Sequence, residues 1–182
     1  NAKDKNGMTG FHFAFKYYDY PEIAELLVQK SSEFDIDLSI KDRNNMTSFH
    51  LACNNGHLDI AEMLVQKSSE FNIDMNAKHL SGKTALHITC QYGYSKIAEM
   101  IVHKSAQSSI DLNAKDQHGI TPFHLACKYG RTKTAKMLVQ KSVEFNIDLN
   151  AKNSVGRTAF QIACVNGDLK IAEMLVQKSA EF

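Results

Sequence analysis

The sequence predicts an all-α protein, a solenoid of stacked helix-turn-helix units joined by hairpin loops, and three observations carry that prediction. Two phrases repeat at a fixed interval, glycine keeps step with them, and apolar residues between the glycines follow a helical period. The first phrase occupies 24–31 (AELLVQKS), 61–68 (AEMLVQKS), 98–105 (AEMIVHKS), 135–142 (AKMLVQKS) and 172–179 (AEMLVQKS), each 37 residues from the next. The second occupies 9–14 (TGFHFA), 47–52 (TSFHLA), 84–89 (TALHIT), 121–126 (TPFHLA) and 158–163 (TAFQIA), again 37 apart except for 38 between the first two. Such self-similarity describes one supersecondary unit stacked five times, each unit burying its apolar side against its neighbours.

The elements of the unit follow in order. Gly7, Gly82, Gly119 and Gly156 stand two residues before the Thr, and Gly56, Gly93, Gly130 and Gly167 stand nine after it. A need for positive φ explains both slots, the first a turn entering a helix and the second a turn between two helices. Asn45 takes the first slot in copy two, and Asn is the next best resident of the left-handed region. Between the slots lies a short helix (48–54 in copy two). A longer one follows, from 58 to about 71, with Ile60, Leu64 and Phe71 on one stripe. The tail Asp-Met-Asn-Ala-Lys (74–78) returns as an extended arm.

Composition excludes several alternatives. The 182 residues are 43% hydrophobic, 9% aromatic and 23% charged, which rules out disorder and collagen-like structure. Twenty-one Lys and Arg against 20 Asp and Glu leave a net charge of +1, so bulk charge draws the molecule neither to nucleic acid nor to a membrane. No apolar run approaches a membrane span, and no basic-then-apolar leader is visible.

The phrase Thr-Pro-Phe-His-Leu-Ala (121–126) resembles the ankyrin-repeat phrase T-P-L-H-x-A, and the glycine slots and the Asp-Leu-Asn-Ala arms (111–114, 148–151) are similar to that family too. The resemblance covers essentially the whole chain in five registers. It implies an ankyrin-type all-α solenoid with repeats at 1–38, 39–75, 76–112, 113–149 and 150–182, the first irregular and the last truncated. Proline follows the Thr only at Pro122, and the period is 37 where the family has roughly 33. The four additional residues are Glu-Phe-Asn-Ile (70–73, 144–147), a near match at 33–36, and Gln-Ser-Ser-Ile at 107–110. Four residues make about one helical turn. The expectation is therefore a second helix longer by a turn, with Phe34, Phe71 and Phe145 packed under the loop.

Catalytic and metal chemistry are weighed and set aside. Cys53, Cys90 and Cys127 each lie three residues beyond a His (His50, His87, His124), a spacing that puts both side chains on one helix face. Equivalent positions on stacked helices are roughly 8–10 Å apart, too far to share one zinc ion or a disulfide. Cys164 falls in the same slot, which reads as a small buried residue. A catalytic group is needed once, whereas His12, His50, His87 and His124 recur at one register. The resemblance implies that this imidazole bonds the Thr at its helix start and the backbone of the adjacent hairpin, a role the amide of Gln161 can mimic. Without a phosphate-cradling loop, paired carboxylates or a nucleophile elbow, no enzyme, cofactor or metal is predicted.

Positions that change from copy to copy carry the functional signal, because stacking accounts only for the constant ones. They are Lys5, Met8, Lys16 and Tyr17; Arg43, Met46, Asn54 and Asn55; Leu80, Lys83, Gln91 and Tyr92; Gln117, His118, Ile120, Lys128 and Tyr129; and Arg157, Val165 and Asn166. Asn6, Asn44, Ser81, Ser154 and Val155 stand beside them. Of these 25 residues six are Lys or Arg and none is Asp or Glu. In an ankyrin-like stack such slots line one concave surface, where the family usually holds protein partners.

The expected function is a non-catalytic scaffold that grips an acidic, partly apolar protein segment, with Tyr92 and Tyr129 central. A basic stripe for nucleic acid or a phosphorylated ligand is the weaker alternative given the near-neutral charge, and a spacer within a longer array is the third. The last copy keeps Ile171, Met174, Leu175 and Val176 as apolar as interior copies, so 1–182 is expected to come from a longer array whose exposed ends self-associate. Copy one replaces the glycine turn by Lys-Tyr-Tyr-Asp-Tyr-Pro (16–21), a degenerate cap or a specialised contact. Periodic buried thiols suit a reducing, intracellular and cytoplasmic setting, although such repeats also occur in secreted effectors. No membrane association is expected.

Overall fold

The computed structural model describes residues 1–16 and 20–179, with the side chains of Lys16 and Ser179 outside the description. The proposed cap at 16–21 therefore lies largely outside the described residues, and Tyr17 with it. Among the described residues there are ten helices and no strand: α1 (Gly10–Lys16), α2 (Pro21–Gln29), α3 (Ser48–Asn55), α4 (Leu58–Gln66), α5 (Ala85–Tyr92), α6 (Ser95–Ser105), α7 (Pro122–Lys128), α8 (Thr132–Lys141), α9 (Ala159–Val165) and α10 (Leu169–Ser179). They alternate as a short first helix and a longer second one. Two compact units result, Asn1–Ala85 and Leu86–Phe182.

The first helices α3, α7 and α9 begin where a Thr supplies what the helix end lacks. Thr47 is extended (φ −93°, ψ 169°), and its Oγ1 accepts the backbone N–H of His50. The His returns the favour: the Thr47 N–H donates to His50 Nδ1 at 3.3 Å, closing a capping box with His in the place usually held by Glu. Thr121 with His124 and Thr158 with Gln161 build the same box. The turn between the helices is left-handed at Gly56 (φ +78°), which ends α3 and reverses the chain into α4.

Second helices are amphipathic and bury one stripe. Ile60, Ala61, Leu64 and Val65 are the buried face of α4; Ile97, Ala98, Ile101 and Val102 are that of α6. In the first unit α1 packs on α3 and α2 on α4, around Phe11, Phe15, Phe49 and Leu64. In the second unit α6 packs on α8, α7 on α9 and α8 on α10, around Ile101, Phe123, Leu138 and Ile171.

The Glu-Phe-Asn-Ile phrase does not lengthen the second helix. α4 ends at Gln66, and the residues after it make a separate turn in which Phe71 N–H donates to the Lys67 carbonyl (3.0 Å) and Ile73 N–H to the Ser68 carbonyl (2.9 Å). The turn closes on Asn72 in the left-handed region (φ +49°), as do its counterparts on Asp35 and Asn146. A left-handed residue terminates helical bonding, and Asn or Asp accepts that conformation at small cost. Second-helix length does not follow the phrase: α6, before Gln-Ser-Ser-Ile, has 11 residues as α10 does, α8 has ten, and α2 and α4 have nine. Nor do the phenylalanines fill the space beneath the loop. Phe34 is exposed, while Phe71 and Phe145 are half-buried beside the ammonium groups of Lys67 and Lys141, 5.3 and 5.6 Å from the ring centroids. Ile73 and Ile147 are the residues of this phrase that enter the core.

Candidate functional site

Hairpins present the variable residues, and in three of them an acid holds the hairpin in shape. Asp42 Oδ1 accepts the N–H groups of Asn44 (2.8 Å) and Met46 (2.9 Å); Asp116 does the same for His118 and Ile120, and Asp4 for Asn6 and Met8. Asn153 replaces the acid in copy five with the same pair of bonds. In copy three His79 stands there, and its Nδ1 accepts the Ser81 N–H at 3.1 Å. The carboxylates nearest the tips are thus bonded to backbone, which leaves the side chains at the tips basic or neutral. Adjacent tips are tied by a rail of backbone bonds: Arg43 N–H to the Asn6 carbonyl (2.9 Å), Leu80 N–H to Asn44 (2.9 Å) and Ser154 N–H to His118 (3.0 Å).

A second rail runs through the histidines. His12 Nε2 meets the Met46 carbonyl at 3.0 Å, His87 the Ile120 carbonyl at 2.9 Å and His124 the Arg157 carbonyl at 3.1 Å. His50 lies beside the Lys83 carbonyl, but its buried Nε2 lacks a hydrogen bond of normal geometry among the described residues. Burial first, and then the neighbouring His79 (ring centroids 5.9 Å apart), push its pKa down to about 4. Burial likewise lowers that of His124. His12, His87 and His124 thus bridge one helix start to the next hairpin, a structural role.

The thiols divide. Cys53, Cys90 and Cys127 are buried, and burial drives all three thiols upward, Cys127 to about 12. Cys164 is exposed. Among the described residues no three His, Cys, Asp or Glu side chains gather as a metal site would require.

The variable residues are placed unevenly. In the first unit Lys5, Arg43 and Leu80 are exposed, while Met46, Asn54, Asn55 and Lys83 are half-buried. Met8 is only 1% exposed: it turns inward beneath its hairpin and is a core side chain, so it leaves the candidate set. In the second unit Tyr92, Gln117, His118, Lys128, Tyr129, Arg157, Val165 and Asn166 are exposed, with Gln91 and Ile120 half-buried.

Several of them meet. Lys128 Nζ lies 5.7 Å from the Tyr129 ring centroid, and Asn166 Nδ2 donates to the Lys128 carbonyl at 2.7 Å. Asn54 Nδ2 donates to Asn55 Oδ1 at 3.0 Å, and Asn55 Nδ2 to the Phe15 carbonyl at 3.4 Å. Two neighbours escaped the sequence reading: Tyr94, whose ring lies 5.9 Å from that of Tyr92, and Arg131, whose Nε donates to the Gln91 carbonyl at 2.9 Å. They occupy one register, shared with His57 and Asp168, which changes in every copy. The same variability that marked the other positions was available there.

With this geometry in place, the family model described as ankyrin repeats, three copies, matches residues 11–116 and again 104–182. The chain belongs to the ankyrin-repeat family. Among curated proteins none matches it. The ankyrin fold is a non-catalytic scaffold that generally mediates protein–protein interaction, and its all-α, helix-turn-helix stacking is what both units display. No described helix of this ankyrin-repeat chain is long and apolar enough to cross a membrane.

Proposed function

We propose that this ankyrin-repeat domain comprises five repeats (1–38, 39–75, 76–112, 113–149 and 150–182), each enlarged by four residues after the second helix, and that it binds an acidic, partly apolar segment of another protein along its hairpin tips and first-helix ends. In the second unit Tyr92, Lys128 and Tyr129 form the centre of the contact, with His118, Arg157 and Asn166 around them; Lys5, Arg43 and Leu80 are the exposed tip residues of the first unit. The supporting observation is the character of what is exposed: tyrosines beside a lysine, with the hairpin acids bonded to backbone. Tyr and Arg are the residues most enriched among interface hot spots, and a Lys ammonium near a Tyr ring presents charge and apolar area together. An intracellular setting accords with three buried free thiols.

Selection from a library of displayed peptides tests this reading. Enriched sequences are expected to combine Asp or Glu with Leu or aromatic residues. The double variant Tyr92→Ala, Tyr129→Ala should lose more than about 2 kcal/mol of binding without loss of thermal stability, since both side chains are exposed. Failure to enrich such peptides, or affinity unchanged in the double variant, would sink the proposal.

A further inference from the structure

Arg131 stands at the N-terminal boundary of α8, and its side chain runs back over the turn between α5 and α6. Its Nε donates to the Gln91 carbonyl at 2.9 Å. Its stem lies across Gly93, where a Cβ would stand 2.9 Å from Arg131 Cδ. Gly93 also holds φ +86°, so a bare glycine both makes the turn and seats the arginine. One copy further on, Asp168 takes the equivalent place, with its Oδ2 against Gly130 and its Oδ1 accepting the Ile171 N–H at 3.1 Å.

The glycine beneath Arg131 separates Tyr92 from Tyr94, whose rings lie 5.9 Å apart. Tyr92 is exposed, and Tyr94 and Arg131 are half-buried. Among the described residues Arg131 pairs with no carboxylate, and Nε is the atom of its side chain that bonds. That bond occupies one edge of the planar guanidinium. The Nη1 and Nη2 groups at its end remain, two parallel donors with the spacing of the two oxygens of a carboxylate. Lys128, by contrast, offers an exposed ammonium on a flexible stem, a point charge without a fork.

We infer that Arg131 is the specificity-determining residue of the second unit's interface: its Nη groups take one Asp or Glu carboxylate of the partner segment end-on, and Tyr92 and Tyr94 cover the apolar residue beside that acid. This assignment rests on the reading of the interface as a site for an acidic, partly apolar segment. Ordering a long side chain on binding costs affinity, and here the seat on Gly93 and the bond to Gln91 have ordered it in the free chain. A carboxylate suits the place better than a phosphate. The Asp168 carboxylate lies against Gly130, next to Arg131 in the chain, and repels a dianion more than a monoanion.

Peptides selected from a displayed library on the full wild-type chain are the probes. Each is resynthesised with its acids changed singly to the matching amide, Glu to Gln or Asp to Asn, and titrated calorimetrically. At one acidic position the amide should weaken wild-type binding about tenfold. Arg131→Gln should bind the acid and amide forms alike. Arg131→Lys keeps the charge and loses the fork, so the ratio should fall to about threefold. Lys128→Gln should weaken both forms and leave their ratio unchanged. A ratio that survives Arg131→Gln, or that disappears in Lys128→Gln instead, would overturn the assignment to Arg131 while the interface itself stands. Phosphoserine binding more tightly than the acid at that position would overturn the choice of carboxylate. A selection that yields no acidic, partly apolar peptide would remove the interface and the assignment together. Circular dichroism and melting check that each variant folds, and Arg131→Met is the second uncharged variant should Arg131→Gln not fold.

Discussion

His124 Nε2 donates to the carbonyl of Arg157, 3.1 Å away and 33 residues further along the chain. Its protonation is dictated by the other nitrogen: the Thr121 N–H points at Nδ1 (3.2 Å), so Nδ1 accepts and the proton resides on Nε2. One side chain thereby caps its own helix and anchors the next hairpin. His124→Ala leaves a buried Thr N–H and a hairpin carbonyl without their partner and should cost about 2–3 kcal/mol in urea unfolding. His124→Gln, which copies the arrangement at Gln161, should cost less than half as much. Equal losses would mean that the amide cannot substitute and that the capping bond matters less than ring packing.

Stability should fall with acid because of His50. Its pKa is about 4 when folded and 6.5 as an ordinary histidine. Below 6.5 the unfolded chain takes a proton that the folded chain refuses, so the contribution is complete above pH 6.5, declines between 6.5 and 4, and changes no further below. The loss is on the order of 3 kcal/mol. His124, lowered by burial, adds in the same direction. Comparing urea midpoints near neutrality and at about pH 4.5 measures it, and His50→Gln should flatten the difference; a variant with the wild-type slope would assign the acid sensitivity elsewhere.

Thiol reagents should find one site. Cys164 is exposed, whereas Cys53, Cys90 and Cys127 are buried with their thiols held protonated. One thiol per native chain is expected to react promptly, and the other three only as denaturant unfolds it.

Gly119 and Gly156 share a register and a left-handed backbone, φ +68° and +78°. They differ in surroundings: a Cβ on Gly119 would stand 2.7 Å from the Ser154 nitrogen, while one on Gly156 meets nothing within 4 Å. Gly156→Ala should cost only the positive-φ penalty, about 1 kcal/mol. Gly119→Ala must also displace the Ser154–His118 rung, for a total of about 3 kcal/mol. Similar unfolding midpoints for the two variants would show that the rail between hairpins bears little load.

Local chemistry was legible from residue order alone. The helix pairs and the left-handed slots including Asn45 depend on groups a few residues apart, so a repeated phrase is enough to recognise them. The Thr–His box and the histidine bridge to the adjacent hairpin were implied by the ankyrin resemblance, and His124 makes both bonds. Which faces are covered was not legible. Met8 looked like a tip residue yet turns inward, Phe34 looked buried yet is exposed, and Cys164 shares its register with three buried thiols but lies open. Burial belongs to the stack and not to the phrase: identical side chains are sealed or exposed according to whether another helix pair lies against them, and only the assembled tertiary structure decides that.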